Sequence, residues 1–96
     1  MQDLAVVQRL LADDPVAWER FTREFAPLLV RAAAAILGRA AATSAAEDVA
    51  QKVFAELLEH DRRLLRSFRG LSSLSTWLIG IARRQALLHL RRERPP

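Results

Sequence analysis

The segment from Leu74 to Arg92 constrains this chain most, because it has helical spacing and is apolar on nearly every side. Leu74, Trp77, Leu78, Ile81 and Leu88 make one stripe. Gly80, Arg84, Leu87 and Arg91 share a second face, and Ile79, Arg83, Ala86 and Leu90 a third. A helix apolar on three faces sits centrally among other helices or awaits a partner. The chain has 96 residues, enough for one domain that buries roughly 60–65% of its unfolded surface.

The remainder also reads as helix, with no convincing strand. A short first helix is expected over about Asp3–Ala12, with Leu4, Val7, Leu10 and Leu11 on one side. Asp14-Pro15 has the form of an N-cap followed by proline at the first helical position. From it Trp18, Phe21, Phe25, Leu28, Leu29, Ala32 and Ile36 keep a helical period as far as Gly38. Pro27 falls inside that run and should kink it or cost it a hydrogen bond. "RAAATS" (39–44) reads as a loop, and Ser44-x-x-Glu47 as a capping box. The box opens a third helix with Val49, Val53, Phe54, Leu57 and Leu58 inward, ending near His60 or a few residues beyond. Ser73 is placed to cap the last helix. The expected fold is an all-α compact bundle of about four helices, with Trp18, Phe21, Phe25, Val53, Leu57, Leu78 and Ile81 in one core.

Several chemistries are excluded at this point. Cysteine is absent, which removes disulfides and thiolate metal sites and points to a reducing cytoplasm. His60 and His89 are too far apart in sequence to suggest a ligand pair. No paired acids, nucleophile with base or glycine-rich phosphate loop can be assembled, so no enzyme and no cofactor is expected. The start "MQDLAVVQRLLADDP" carries acids where a signal peptide needs basic residues. No apolar run approaches the roughly 20 residues of a membrane span, so no membrane insertion is expected.

Charge is divided along the chain. Residues 1–59 hold six basic and nine acidic side chains, a net of −3, whereas residues 60–96 hold nine arginines and two acids, a net of +7. Fourteen of the fifteen basic residues are Arg, whose planar fork suits phosphate oxygens and base edges. A basic half beside an acidic half suggests a nucleic-acid face and a separate protein-contact face. Arginine-preferring codon usage with a solvated tail explains the same composition.

Two surfaces stand out within this division. On the third helix Asp48, Gln51, Lys52, Glu56 and Glu59 lie opposite the apolar stripe. The plain reading is a solvated face with Asp48–Lys52 and Lys52–Glu56 pairs of about 0.3–0.5 kcal/mol each. Before the last helix, Ser72, Ser73, Ser75 and Thr76 either serve as loop and cap residues or, beside Arg66 and Arg69, receive phosphates and an extruded base. Trp77 at this spacing is more often a core residue than a ligand platform.

The stretches "AAEDVAQKVFAELLE" and "LRSFRGLSSLSTWLIGIARRQALLHLRR" together resemble region 2 of bacterial RNA polymerase sigma factors of the extracytoplasmic-function (ECF) type. "AWERFTREFAPLLVRAAAAILG" is similar to that family's opening helix, so the resemblance covers nearly the whole chain. It implies a transcription initiation domain. Asp48, Gln51, Lys52 and Glu56 would dock on the clamp helices of the polymerase β′ subunit. Arg66, Phe68, Arg69, Ser72, Ser73, Ser75 and Thr76 would hold a base flipped from the non-template strand of the promoter −10 element. Trp77 would stand near the edge of the melted duplex. Arg83, Arg84, Arg91 and Arg92, with Arg94, would follow the phosphates.

The implied partners are core RNA polymerase, promoter DNA and an anti-sigma factor, and the implied location is the cytoplasm, on the nucleoid through polymerase. Binding to unstacked bases would offset the cost of unpairing, with no covalent step.

The chain departs from the family pattern at Lys52, where an acid is common, and at Gly80, Arg84 and Leu88, where Arg, Asn and Asp are frequent. Arg84 could read a guanine bidentately or contact phosphate. Nothing resembles the family's second, −35-reading domain. The ending "RRERPP" looks like the start of an interdomain linker from residue 93, which favours an excised domain over a natural short protein. The alternative function is a sigma-like interaction module that binds polymerase or a regulator without melting DNA.

Overall fold

A computed structural model describes residues 2–38 and 43–93 and shows four helices: α1 Gln2–Leu11, α2 Pro15–Leu37, α3 Thr43–Arg66 and α4 Leu74–Glu93. Most of the 39–44 loop lies outside the described residues, as does residue 94–96 of the expected linker. Glu93, the first residue of that linker, is still part of α4. There is no strand among the described residues.

Asp14 caps α2 as its sequence indicates: its carboxylate accepts from the amides of Val16 (3.0 Å) and Ala17 (3.3 Å). The helix then runs for 23 residues, roughly 35 Å at 1.5 Å per residue. It passes through Pro27 as one helix, and the proline's missing N–H leaves out one hydrogen bond of that turn. At Gly38 a φ of +88° ends it, and the glycine amide still donates to Ala34 O.

α3 differs from the sequence reading at both ends. It starts at Thr43, so Ser44 is a helical residue and not the cap, and no Ser44–Glu47 capping box forms among the described residues. Near its other end the backbone leaves the helix at Glu59 (ψ 154°), and His60, Asp61 and Arg62 all take left-handed angles with φ of +52° to +60°. Leu58, expected inward, is 52% exposed. The inward stripe finishes at Leu57, and the chain turns away immediately after Leu58.

α2 packs on both α3 and α4, α3 packs on α4, and α1 closes against α2 and α3. Phe21 lies inside this arrangement at 2% exposure, with ring centroids 5.1 Å from Phe25, 5.8 Å from Phe54 and 5.7 Å from Trp18. Phe25, Val53, Leu57, Leu78 and Ile81 share the same buried cluster. Trp18 is half-buried at its edge, where its indole N–H donates to Leu10 O at 3.0 Å. A second, smaller cluster joins Ala33, Ala46, Val49 and Ala86. The three long helices therefore meet on aromatic rings in one place and on alanines in another.

Two neighbouring leucines test this packing. Leu57→Ala should cost about 2–5 kcal/mol, since Leu57 is fully buried. Leu58→Ala should change stability by no more than about 0.5 kcal/mol. Urea unfolding followed by circular dichroism separates them, and equal losses at both positions would contradict the observed end of the α3 stripe.

Candidate nucleic-acid and partner interface

The loop between α3 and α4 is pinned at both ends. On its α3 side the amide of Ser67 donates to Arg63 O and Leu64 O, and Ser67 Oγ donates to Leu64 O at 2.5 Å. Phe68 follows, 6% exposed, with its ring 5.0 Å from that of Trp77. Gly70 then takes a φ of +75°, and a Cβ there would lie 3.3 Å from Leu4 of α1. On the α4 side Ser73 Oγ accepts from the Thr76 amide (3.1 Å) and bonds Thr76 Oγ1 (3.0 Å), the N-cap its sequence position suggests. Asp3 adds a second cap from across the fold, its Oδ2 accepting from the Leu74 amide at 2.8 Å.

This geometry sorts the residues expected to meet DNA. Arg66, Arg69, Ser72, Ser73 and Thr76 are exposed on the loop and first turn, while Ser75 and Trp77 are half-buried. Phe68 is a correction: it is a core residue, and its ring supports Trp77 and is not free to stack on a base. Ser73 also has a structural duty, because its hydroxyl is engaged in the cap. Ser72 Oγ donates to Ser73 O at 3.2 Å.

Along α4, Leu74, Leu78, Ile81, Ala82 and Ala86 are buried. The exposed residues Thr76, Gly80, Arg83, Arg84, Leu87 and Arg91 fall on one opposite face, while Arg92, also exposed, lies on the side of the helix turned toward α3. Ala86, on the third of the faces set out by spacing, is fully buried. Leu88, expected on the core stripe, is only half-buried.

Between Arg62 and Arg92 the chain has eight arginines and not one acid. Three of the eight are tied to carboxylates elsewhere: Arg62 to Asp13, Arg66 to Asp61 and Arg84 to Glu56. Arg63, Arg69, Arg83, Arg91 and Arg92 are exposed without an ion pair among the described residues. Such a surface holds anions at several separated points.

The outer face of α3 is divided. Asp48 and Gln51 are exposed, and neither the Asp48–Lys52 nor the Lys52–Glu56 pair forms among the described residues. Glu56 turns to α4 instead, accepting from Arg84 Nη2 and Gln85 Nε2, both at 2.6 Å. An open groove lined by Lys52, Ala55, Glu56, Glu59, Gln85 and Arg92 thus joins the expected protein-contact face to the expected nucleic-acid helix.

Sequence reading missed Asp3, Arg62 and Leu71. Asp3 acts across 71 residues and Arg62 across 49, distances at which single-chain spacing carries no signal. Leu71 is 92% exposed, an apolar residue inside a polar loop.

Among the described residues no group of three or more His, Asp or Glu could hold a metal ion. No helix there is long and apolar enough to cross a membrane. Residues 21–95, more than three quarters of the chain, match the family model described as sigma-70 region 2. Neither curated proteins nor solved structures yield a match.

Asp3 lies before the matched residues and yet caps the helix that carries the arginines. Replacing it with Ala should destabilise the fold by about 0.5–2 kcal/mol, as loss of an N-cap does, with Asn costing less. An unchanged denaturation midpoint in Asp3→Ala would show that the α1–α4 cap contributes nothing.

Proposed function

The chain belongs to the sigma-70 region 2 family, and from that premise we propose that it docks on the β′ clamp helices and opens the promoter −10 element by holding its non-template strand. Family membership itself carries a sigma-factor role in promoter recognition and RNA polymerase binding, in a transcription-factor domain and not an enzyme family. The observation that carries the finer reading is the acid-free run of eight arginines, of which Arg83, Arg84 and Arg91 lie on the exposed face of the helix that follows the serine-rich loop.

In this reading phosphates are held by Arg69, Arg83, Arg91 and Arg92, which need give up no ion pair within the described residues. Arg84 contributes too, but must first leave Glu56. The extruded base meets the Ser67–Thr76 loop, and Trp77, propped by Phe68, flanks it. Hydrogen bonds and apolar contacts made only by an unstacked base favour the open strand over the duplex. Docking falls to Asp48 and Gln51, which are exposed, with Lys52 at their edge. Glu56 acts there indirectly, because it holds Arg84 and Gln85. An anti-sigma factor would compete for these same surfaces, and the type within the family is the extracytoplasmic-function one.

Docking is tested with an isolated β′ clamp-helix fragment. Asp48→Arg should reduce its capture while the helical circular dichroism stays unchanged, and Lys52→Glu should tighten it if this face is cation-seeking. Capture indifferent to both changes would remove α3 from the interface.

Strand selection is tested in the assembled polymerase. The complex should prefer opened to duplex −10 DNA, and each phosphate contact removed, as in Arg83→Ala, should lower the log–log salt slope by about 0.7 on single strands. Arg84→Ala should weaken binding less than Arg83→Ala, because Arg84 must first leave Glu56 whereas Arg83 gives up no ion pair among the described residues. A complex with no preference for the opened strand would leave only the interaction-module reading.

A further inference from the structure

The chain has three glycines, and two of them are explained within the fold. Gly38 ends α2 with a φ of +88°, and Gly70 takes a φ of +75° with Leu4 packed close against it. Gly80 has neither reason. It keeps helical backbone well inside α4, without a positive φ, and a Cβ built on it would meet nothing within 4 Å. Glycine in a helix interior weakens that helix relative to alanine, because its backbone loses more freedom on folding. No contact among the described residues makes use of the missing side chain.

The surroundings of Gly80 say what can use it. The residue is exposed on the outer face of α4, with Thr76 one turn before it and Arg83 and Arg84 one turn after. Its missing side chain leaves a notch between Thr76 and Arg84, whose α-carbons lie about 12 Å apart along the axis. Arg83 and Arg91, on the same face, have no ion pair among the described residues. No acid occurs from Arg62 to Arg92.

We propose that Gly80 is a close-approach seat, the point at which the sugar-phosphate backbone of the bound strand passes against the main chain of α4. This rests on the single-strand reading above and adds to it the place where strand and helix come nearest. Glycine suits a position where a ligand must lie against the protein backbone, since any Cβ stands in the way. A protein helix could also use such a notch, but it would have to bring its own acids to meet Arg83, Arg84 and Arg91. A phosphate backbone carries an anion at every nucleotide.

The seat makes stability and binding move in opposite directions. Gly80→Ala and Gly80→Leu both introduce better helix formers where nothing in the fold obstructs them. Each should raise the melting temperature of the chain by about 4–8 °C. Assembled with core polymerase, the same variants should bind opened −10 DNA more weakly, about tenfold for Leu and less for Ala, as side-chain volume fills the seat. A fully abasic oligodeoxyribose phosphate of equal length should be weakened by the same factor, because the contact is with backbone and not with a base.

A more stable Gly80→Leu chain whose assembled complex keeps its affinity for the opened strand would overturn the proposal. So would weakening confined to base-bearing strands, which would place a base and not the backbone at Gly80. Loss of polymerase assembly in Gly80→Leu, with strand binding by the free chain intact, would make the notch a protein contact instead. If the unsubstituted complex shows no preference for opened over duplex −10 DNA, the single-strand reading itself fails and this inference falls with it.

Discussion

The packing of Phe21 against three other rings is the interaction on which the rest of this structure depends. Phe25 and Trp18 belong to the same helix, so those contacts only stiffen α2. The contact with Phe54 is different, because it fixes α2 against α3. Aromatic pairs add about 0.5–1.5 kcal/mol beyond the area they bury, and edge-on geometry makes them directional. With α2 and α3 set, the buried side of α4 has one place to go, and its arginine face must point outward. The orientation of the proposed nucleic-acid surface is thus a consequence of apolar packing on the opposite side of the same helix.

Polar contacts then decide where the chain ends and corners lie. A helix of ten residues such as α1 is marginal alone in water. Here it is clasped by the Trp18 indole at Leu10 O and by Arg62, which reaches both Leu11 O (3.3 Å) and the Asp13 carboxylate. α1 returns the contact by capping α4 through Asp3. The corner at His60–Arg62 is the costly part, since left-handed angles at residues other than glycine cost about 1–2 kcal/mol each. What it achieves is to carry the chain from the end of the α3 stripe to Leu65 and Phe68, both buried. The Arg62 contacts hold the last left-handed residue in place.

What could be read from the sequence follows the range of the physics involved. Asp14, Gly38 and Ser73 act on residues within four positions, and their caps and stops were legible. The aromatic and aliphatic period of α2 was legible for the same reason, and so were the all-α class and most of the core. Leu58 was misplaced because periodicity extends a stripe until something breaks it, and the left-handed corner has no glycine or proline to announce it. Ser44 was read as a cap, but the helix already includes Thr43, the residue before it. Phe68 looked like a ligand-facing aromatic because its neighbours are Ser, Arg and Gly. Its burial depends on Trp77, nine residues away and on another element. At the site, the sequence supplied the arginines and the serines, but not which arginines are already paired or which hydroxyls already occupied.

Among the described residues the Glu56–Arg84 pair is the ion pair that links the two surfaces, and its strength limits how far either can influence the other. Both side chains are partly exposed, at 23% and 54%, so the pair is of the kind worth about 0.2–1 kcal/mol. A kilocalorie corresponds to roughly a fivefold change in an equilibrium. Releasing Arg84 to a phosphate is therefore cheap compared with the several arginine contacts the face can make. A partner that drew Glu56 away would free Arg84 at the same small cost. The same is true of Gln85, whose amide bonds the other oxygen of Glu56. A contact of this size tunes the affinity of α4 for an anion and does not switch it on. The larger part of the proposed discrimination between opened strand and duplex is then assigned to groups in the loop and not along the helix.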